Sequence, residues 1–228
     1  MNPACLSPLL TSLFPPGVVA AELRKAADSA LLLAGEASHL VRAFPKRIQE
    51  FAAGRLCARR ALTELGFSDF PLSVTTDRRP QWPHPIIGSI THTHGFTGAV
   101  VAERRQFRAI GVDGEAVGSV SPELWPHICT PAEAAWLDAL SEADRSKFSA
   151  LIFSAKEAFY KCQYGITGQW LEFHDVALAF HSSDLQAGSF SVRSLKGIRL
   201  LERETLPMIG RFQFHDGLVV TGMVIEKV

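Results

Sequence analysis

The amino-acid sequence predicts an α+β protein of two similar lobes, each a small antiparallel sheet with packed helices. Helical patterns are followed by strand patterns in both halves of the chain, and polar turns join the strands. The length of 228 residues is enough for two small lobes around a real core. No convincing residue-level repeat accompanies this pattern, so the internal symmetry is inferred from the order of elements alone.

The first half of the chain begins with a predicted strand and two predicted helices. A β-branched run after Pro15-Pro16-Gly17 predicts the strand over 18–23, and helical patterns follow around 35–42 and over 45–65. Pro45 suits a first helical turn. An irregular segment over 70–85 then leads to three strands, which we expect to form one antiparallel central sheet: 86–92, 97–102 and 107–115.

The second half repeats this order. Thr130-Pro131-Ala132-Glu133 is a strong helix start, and His215-Asp216-Gly217 is a strong hairpin turn. We place the boundary after Gly111, which gives lobes of residues 1–111 and 112–228. The predicted helices are 122–127, 131–139 and 146–164, and the predicted strands are 176–180, 189–195 and 211–224.

Composition excludes several classes of function. Lys plus Arg (23) balances Asp plus Glu (23), so net charge predicts no general affinity for nucleic acid or membranes. No apolar run approaches about 18 residues, and the N-terminus is a poor signal peptide. The four cysteines lack the spacing of a zinc site or a disulfide framework. These features predict a cytoplasmic protein.

Basic residues are concentrated in and just before the second predicted helix. The excess of positive charge there indicates either a helix that faces an anion or a solvated helix surface. One acidic residue, Glu50, stands among six basic ones: Arg42, Lys46, Arg47, Arg55, Arg59 and Arg60.

Two carboxylates, Asp113 and Glu115, follow the apolar run Ala109-Ile110-Gly111-Val112. Residues two apart on a strand point to the same face. Paired carboxylate oxygens with room for water are ligands that Mg²⁺ prefers. A solvated surface strand is the alternative interpretation of this pattern.

Glu157 and Lys161 lie four residues apart on the predicted helix over 146–164 and therefore share a face. In isolation they indicate a surface ion pair. Together with other charged groups they could serve phosphate chemistry, with the carboxylate holding a metal or taking a proton and the ammonium neutralising oxygens.

His92 and His94 put two imidazoles on one face of a strand. A zinc pair, a histidine that donates to phosphate and a structural histidine are all compatible with this spacing. No third soft ligand lies near in sequence.

The order of these motifs resembles the 4′-phosphopantetheinyl transferases of the larger, Sfp/EntD type. The length is about twice that of the small trimeric holo-carrier-protein synthases, so the chain resembles the pseudo-dimeric monomers, whose lobes are related by a pseudo-twofold. The matching stretches are Gly54-Arg55-Leu56-Cys57-Ala58-Arg59-Arg60-Ala61-Leu62, Gly88-Ser89-Ile90-Thr91-His92, Gly111-Val112-Asp113-Gly114-Glu115 and Phe153-Ser154-Ala155-Lys156-Glu157-Ala158-Phe159-Tyr160-Lys161.

The resemblance implies an enzyme that transfers the 4′-phosphopantetheine arm of coenzyme A to a serine of an apo acyl or peptidyl carrier protein, releasing 3′,5′-ADP. It implies that Asp113, Glu115 and Glu157 hold Mg²⁺, with Mn²⁺ possible. Glu157 would also take the serine proton, and Lys161 would stabilise or protonate the leaving phosphate. The metal site and catalytic helix would belong to the C-terminal lobe.

The resemblance also implies that the N-terminal lobe contacts the nucleotide of coenzyme A. His92 would contact phosphate oxygens, and Arg47, Arg55 and Arg79 would line the nucleotide end. Lys156 would touch phosphate as well. The expected partners are coenzyme A and carrier proteins of fatty acid, polyketide, nonribosomal peptide or siderophore synthesis, acted on by a monomer.

One residue departs from the family pattern. Gly114 stands where a larger residue is usual, and a glycine loosens the placement of the two neighbouring carboxylates. Two other functions fit the same residues: a metal-dependent nucleotide phosphohydrolase, and a catalytically weak accessory protein that binds coenzyme A or a carrier.

Overall fold

Two antiparallel sheets with packed helices make up residues 8–37, 40, 43–182, 186–198 and 208–227, which a computed structural model describes. The strands are β1 (Val18–Leu23), β2 (Ile86–Thr93), β3 (Phe96–Glu103), β4 (Phe107–Ala116), β5 (Val176–His181), β6 (Ala187–Ser194), β7 (Met208–His215) and β8 (Leu218–Glu226). Their order is β1-β3-β2 in the three-stranded sheet and β4-β8-β7-β6-β5 in the five-stranded sheet. The α+β class is therefore confirmed.

Two long helices lie among shorter ones. The helices predicted over 45–65 and 146–164 are both present, and the second starts earlier because the Ser141 side chain accepts a hydrogen bond from the Asp144 N–H. No described helix is long and apolar enough to cross a membrane. The helices are α1 (Pro8–Thr11), α2 (Pro45–Glu64), α3 (Trp125–Ile128), α4 (Pro131–Asp138) and α5 (Glu142–Thr167), with 3₁₀ turns at Ser29–Leu31, Pro122–Leu124 and Phe173–Asp175.

The helical pattern predicted around 35–42 does not give a helix in residues 35–37, which form a turn and a bend. Residues 38, 39, 41 and 42 lie outside the described part of the chain, and Arg42 is among them. Instead, the Glu36 carboxylate accepts hydrogen bonds from the Arg59 guanidinium, Leu33 N–H and Leu72 N–H. The segment is thus tied to α2 by a fully buried carboxylate.

The expectation of one central sheet over the first three long strands is wrong for its last member. β4 leaves β3 and pairs with β8, so that Asp113 lies opposite Thr221. The change of sheet occurs at the turn of residues 104–106, whereas the predicted boundary after Gly111 falls inside β4. Because most of β4 is buried, its apolar pattern does not indicate which strand it pairs with.

Side-chain hydroxyls join the two sheets where strands β2 and β4 lie side by side. The Ser89 hydroxyl accepts a hydrogen bond from the Val112 N–H at 3.1 Å, and the Thr91 hydroxyl accepts one from the Gly114 N–H at 3.0 Å. Residues two apart on a strand share a face, so both hydroxyls reach the same neighbour. We call this junction the seam.

Helix α5 packs closely on β4 because Gly111 has no side chain. A Cβ at this position would lie 2.0 Å from the Ala158 carbonyl oxygen and 2.8 Å from the Cys162 amide nitrogen. Apolar residues of α5, including Leu151, Ala155 and Phe159, fill the core above the five-stranded sheet. This packing brings the face of α5 that carries Glu157 and Lys161 to the end of β4.

Replacing Gly111 with alanine should lower the free energy of unfolding by about 3 kcal/mol, because the new methyl group meets helix backbone that cannot rotate away. Urea denaturation measures this loss. Gly165→Ala is the matched control, since Gly165 lies in α5 and a Cβ added there would meet no atom within 4 Å. It should raise stability by about 0.5–1 kcal/mol through helix propensity. Equal stability of Gly111→Ala and the wild type would contradict the close-packing explanation.

Candidate functional site

Asp113 lies at the centre of the site, on β4 beside the seam, and only 4% of its surface is exposed. Its Oδ1 atom accepts a hydrogen bond from the Thr91 hydroxyl at 3.0 Å and one from the Lys161 ammonium at 2.6 Å. Its Oδ2 atom is buried and has no hydrogen-bond partner among the described residues. An unpartnered buried carboxylate oxygen is costly unless a cation or water meets it.

Glu115 follows Asp113 on the same face of β4 and is half-buried. Its Oε2 atom accepts a hydrogen bond from the Ser119 hydroxyl at 3.1 Å. Loss of water, and then the negative charge of Asp113, raise the pKa of Glu115 from its ordinary value to about 7, although the Ser119 hydrogen bond opposes the shift.

Glu157 faces these two carboxylates from helix α5. Burial raises its pKa above the ordinary value, Asp113 raises it further, and Lys161 opposes the shift. The three predicted metal ligands, Asp113, Glu115 and Glu157, therefore lie close enough to repel one another. No group of three His, Cys, Asp or Glu residues with the geometry of a metal site is formed, however, within the ranges that the structure describes.

The donor set nonetheless suits Mg²⁺. This ion keeps several of its own waters and needs only one or two protein carboxylates. Asp113 Oδ2 offers a buried oxygen without a partner in the described structure. Burial, and to a smaller extent the charge of Asp113, raises the pKa values of Glu115 and Glu157. A divalent cation would stabilise the ionised form of all three carboxylates.

His92, at the end of β2, contacts Arg47 of helix α2. The Arg47 Nη1 atom lies 2.6 Å from His92 Nε2, and Arg47 also pairs with Glu50 at 3.6 Å. One side of the ring is open to solvent, yet loss of water around the rest, followed by the charge of Arg47, lowers the pKa of His92. A neutral ring that accepts from Arg47 at Nε2 carries its proton on Nδ1, where it can donate.

Arg55 is buried on α2, and its guanidinium stacks on the Phe51 ring at 4.0 Å from the ring centroid. Its Nε atom has no hydrogen-bond partner in the described structure. Burial lowers the pKa of Arg55 to about 10, although Glu36 opposes the shift. Arg59, one turn further along, instead forms an ion pair with Glu36 at 2.6 Å.

Arg79 lies on the irregular segment before β2, where it pairs with Asp77 at 2.7 Å and lies over the Tyr164 ring at 5.1 Å. It lines a cavity of about 430 Å³ between that segment, β2, β4 and α5. Lys161 lines the same cavity and so connects it to Asp113. Other lining residues include Arg78, Trp82, Arg104, Arg108, Tyr160 and Tyr164.

Lys156 is not brought to this site, which is at odds with the phosphate contact predicted for it. Its ammonium is almost fully buried and donates to three protein oxygens: Glu133 Oε2 at 2.7 Å, and the Ile128 and Phe173 carbonyls at 2.9 Å. An ammonium has three N–H donors, so none remains for a ligand. Lys156 therefore anchors α5 to α3 and α4.

The structure thus brings Asp113, Glu115, Glu157 and Lys161 together, with His92 and Arg47 beside them. Sequence reasoning assigned no role to Thr91, although it donates directly to Asp113. The alternation of Ser89 and Thr91 on one strand face was an available signal, but its meaning depends on β4 lying next to β2.

Two family models match the chain. A model described as the 4′-phosphopantetheinyl transferase N-terminal domain matches residues 35–102, and one described as the 4′-phosphopantetheinyl transferase superfamily matches residues 109–208. Together they cover every site residue predicted from the sequence and include strands of both sheets.

Three relatives are similar over most of their length. The chain is 38% identical over 197 residues to 4′-phosphopantetheinyl transferase Svp of Streptomyces mobaraensis, covering 86% of this chain and 79% of the relative. It is 30% identical over 223 residues to 4′-phosphopantetheinyl transferase Npt of Nocardia iowensis, covering 94% and 99%. It is 34% identical over 192 residues to 4′-phosphopantetheinyl transferase PptT of Mycobacterium tuberculosis, covering 83% and 84%.

The raised pKa of Glu115 predicts a pH dependence of stability when no divalent cation is present. The folded state holds a proton on Glu115 that the unfolded state has released between about pH 4.5 and about pH 7. Glu115 therefore makes folding less favourable as pH rises through this range. The Tm difference between Glu115→Gln and the wild type should grow in favour of the variant as pH rises. A difference that is constant from acidic to alkaline pH would contradict this assignment.

Proposed function

We propose a role for each residue of the candidate site. The chain belongs to the 4′-phosphopantetheinyl transferase superfamily and transfers the 4′-phosphopantetheine arm of coenzyme A to carrier proteins. The observation that carries the proposal is the meeting of Asp113, Glu115, Glu157 and Lys161 beside a cavity rich in basic and aromatic residues. Carboxylates, an ammonium and a nearby basic cavity are what transfer from a pyrophosphate requires.

Asp113, Glu115 and Glu157 would hold a Mg²⁺ ion, or Mn²⁺ in its place. When bound, the ion neutralises charge on the pyrophosphate of coenzyme A. The unpartnered Oδ2 atom of Asp113 in the described structure supports this assignment, because its burial leaves it no solvent to compensate for its charge.

Glu157 would take the proton from the carrier serine. The serine oxygen then forms a bond to the β-phosphorus of coenzyme A, and the bond from that phosphorus to the bridging oxygen breaks, releasing 3′,5′-ADP. A serine hydroxyl is a weak nucleophile at neutral pH and needs a positioned base.

Positive groups would stabilise the charge that develops on the leaving phosphate. Lys161 is half-buried and reaches both Asp113 and the cavity, so its ammonium can turn from the carboxylate to a phosphate oxygen. His92 would donate from Nδ1 to a phosphate oxygen, with Arg47 beside it. Fixed donors of this kind are worth most in sites that exclude water.

Arg47, Arg55 and Arg79 would contact the nucleotide of coenzyme A. Within the described structure Arg55 retains an unsatisfied Nε atom, and Arg79 lines a cavity of about 430 Å³ that also holds aromatic rings able to stack on a base. Lys156 has no donor left over, so we assign it no contact with the ligand.

The carriers would belong to fatty acid, polyketide, nonribosomal peptide or siderophore synthesis. We propose that the chain acts as a cytoplasmic monomer. The thiols of Cys57, Cys129 and Cys162 are buried and form no disulfide among the described residues, which supports a reducing compartment. We further propose that residues 1–111 mainly contact the nucleotide and residues 112–228 supply the metal ligands and catalytic helix.

Replacing Glu157 with glutamine should reduce kcat by about 10²- to 10⁴-fold, because the amide cannot take the serine proton. The rate of carrier labelling from coenzyme A, followed by intact-protein mass spectrometry, measures the effect. Glu142→Gln is the matched control, since Glu142 lies exposed in the first turn of the same helix. Its labelling rate should equal that of the wild type. Normal labelling by Glu157→Gln would remove the assignment of Glu157 as base.

A further inference from the structure

Thr91 lies on β2 of the three-stranded sheet and contacts Asp113, a candidate metal ligand on β4 of the five-stranded sheet. The residue is 3% exposed, and its hydroxyl makes two hydrogen bonds across the seam. It accepts from the Gly114 N–H at 3.0 Å and donates to Asp113 Oδ1, also at 3.0 Å. A hydroxyl has one proton to donate, so these contacts commit it to Asp113.

The arrangement around Asp113 separates the roles of its two oxygens. Oδ1 receives both protein donors, Thr91 and Lys161, whereas Oδ2 receives none in the described structure. A half-turn of the carboxylate only exchanges two equivalent oxygens, but any smaller rotation would break both contacts. The donors therefore hold the carboxylate in one orientation and fix the position of the oxygen that is available to a cation.

We propose that Thr91 is a positioning residue that fixes the Asp113 carboxylate for metal binding, an inference that rests on the proposed metal site. Lys161 cannot fill this role throughout the reaction, because its ammonium is assigned to the leaving phosphate. When Lys161 turns away, Thr91 is the donor that remains on Oδ1. Mutation of a residue that hydrogen-bonds to a metal ligand commonly lowers metal affinity by about 10- to 100-fold.

Thr91 also keeps the backbone in register next to Gly114. Its hydroxyl anchors the Gly114 N–H, so the glycine between the two carboxylates is held despite its lack of a side chain. A Cβ at Gly114 would lie 3.1 Å from the buried Phe96 ring, which explains why a small residue fits here. The looseness expected of a glycine is thus offset by a contact from β2.

Ser89 provides a matched comparison on the same strand. Its hydroxyl accepts from the Val112 N–H at 3.1 Å, as Thr91 does from Gly114, but it makes no hydrogen bond to a carboxylate of the described residues. Removing either hydroxyl weakens the seam by one hydrogen bond. Removing that of Thr91 also releases Asp113, so metal affinity distinguishes a positioning role from a purely structural one.

Ser89 also lines the cavity proposed for coenzyme A, so coenzyme A has to be saturating for every variant. The test is a titration of Mn²⁺ into the full chain under that condition, followed by the electron paramagnetic resonance of free Mn²⁺. Thr91→Val should weaken Mn²⁺ binding about tenfold, Thr91→Ser should restore it to within about twofold, and Ser89→Ala should leave it unchanged. In the transfer reaction, Thr91→Val should need about tenfold more Mg²⁺ for half-maximal rate but approach the wild-type kcat at saturating Mg²⁺.

Equal Mn²⁺ affinity of Thr91→Val and the wild type would overturn the inference and leave the metal site standing. Equal weakening by Ser89→Ala would also overturn it, in favour of a general loosening of the seam. Absence of Mn²⁺ binding by the wild type would remove the metal proposal and this inference together. If Thr91→Val does not fold by circular dichroism, Thr91→Cys retains a weaker donor at the γ position, without the methyl group, and should show an intermediate affinity.

Discussion

The buried carboxylate of Asp113 is the group on which the rest of the site depends. It lies where the edges of two sheets and helix α5 meet, and it is contacted by Thr91 from β2 and by Lys161 from α5. A carboxylate that is 4% exposed has lost most of its hydration and needs hydrogen bonds and positive charges in its place. These are provided by the seam, by the close approach of α5 at Gly111 and by the basic side chains nearby.

The two lysines of the family motif on helix α5 have different roles. Lys156 and Lys161 are five residues apart, so their side chains leave the helix about 140° from each other. Lys161 faces β4 and the cavity, whereas Lys156 faces the interior between α3 and α4 and is satisfied by three protein oxygens. The buried lysine holds the helix in place, and the half-buried one is able to exchange partners.

Local patterns predicted most elements, because helix starts, turns and apolar periodicity are encoded within a few residues. The cap at Thr130 and the turn at Asp216-Gly217 are examples. The pairing of β4 was not predictable in the same way, since a buried strand carries no local signal of its neighbour. Its pairing with β8 joins residues 107–116 to residues 218–226, far apart in the chain.

The candidate site was predictable to the extent that its charged residues follow family motifs. Asp113, Glu115, Glu157 and Lys161 do come together, but the motif could not show that Lys156 points into the core. The role of Thr91 could not be predicted from the sequence, because its contacts with Asp113 and Gly114 require β2 and β4 to lie side by side. Gly114 was recognised as a departure from the family pattern, but the reason for its small size, the nearby Phe96 ring, depends on the tertiary structure.

We expect the chain to transfer a phosphopantetheine arm to a carrier protein rather than hydrolyse a nucleotide. The most direct test of this claim incubates the full chain with coenzyme A, Mg²⁺ and an apo carrier protein, and follows carrier mass and 3′,5′-ADP together. We expect each carrier to gain one phosphopantetheine for every 3′,5′-ADP released, and a carrier whose acceptor serine is replaced by alanine to give neither product. Release of 3′,5′-ADP with no gain in carrier mass would contradict the claim.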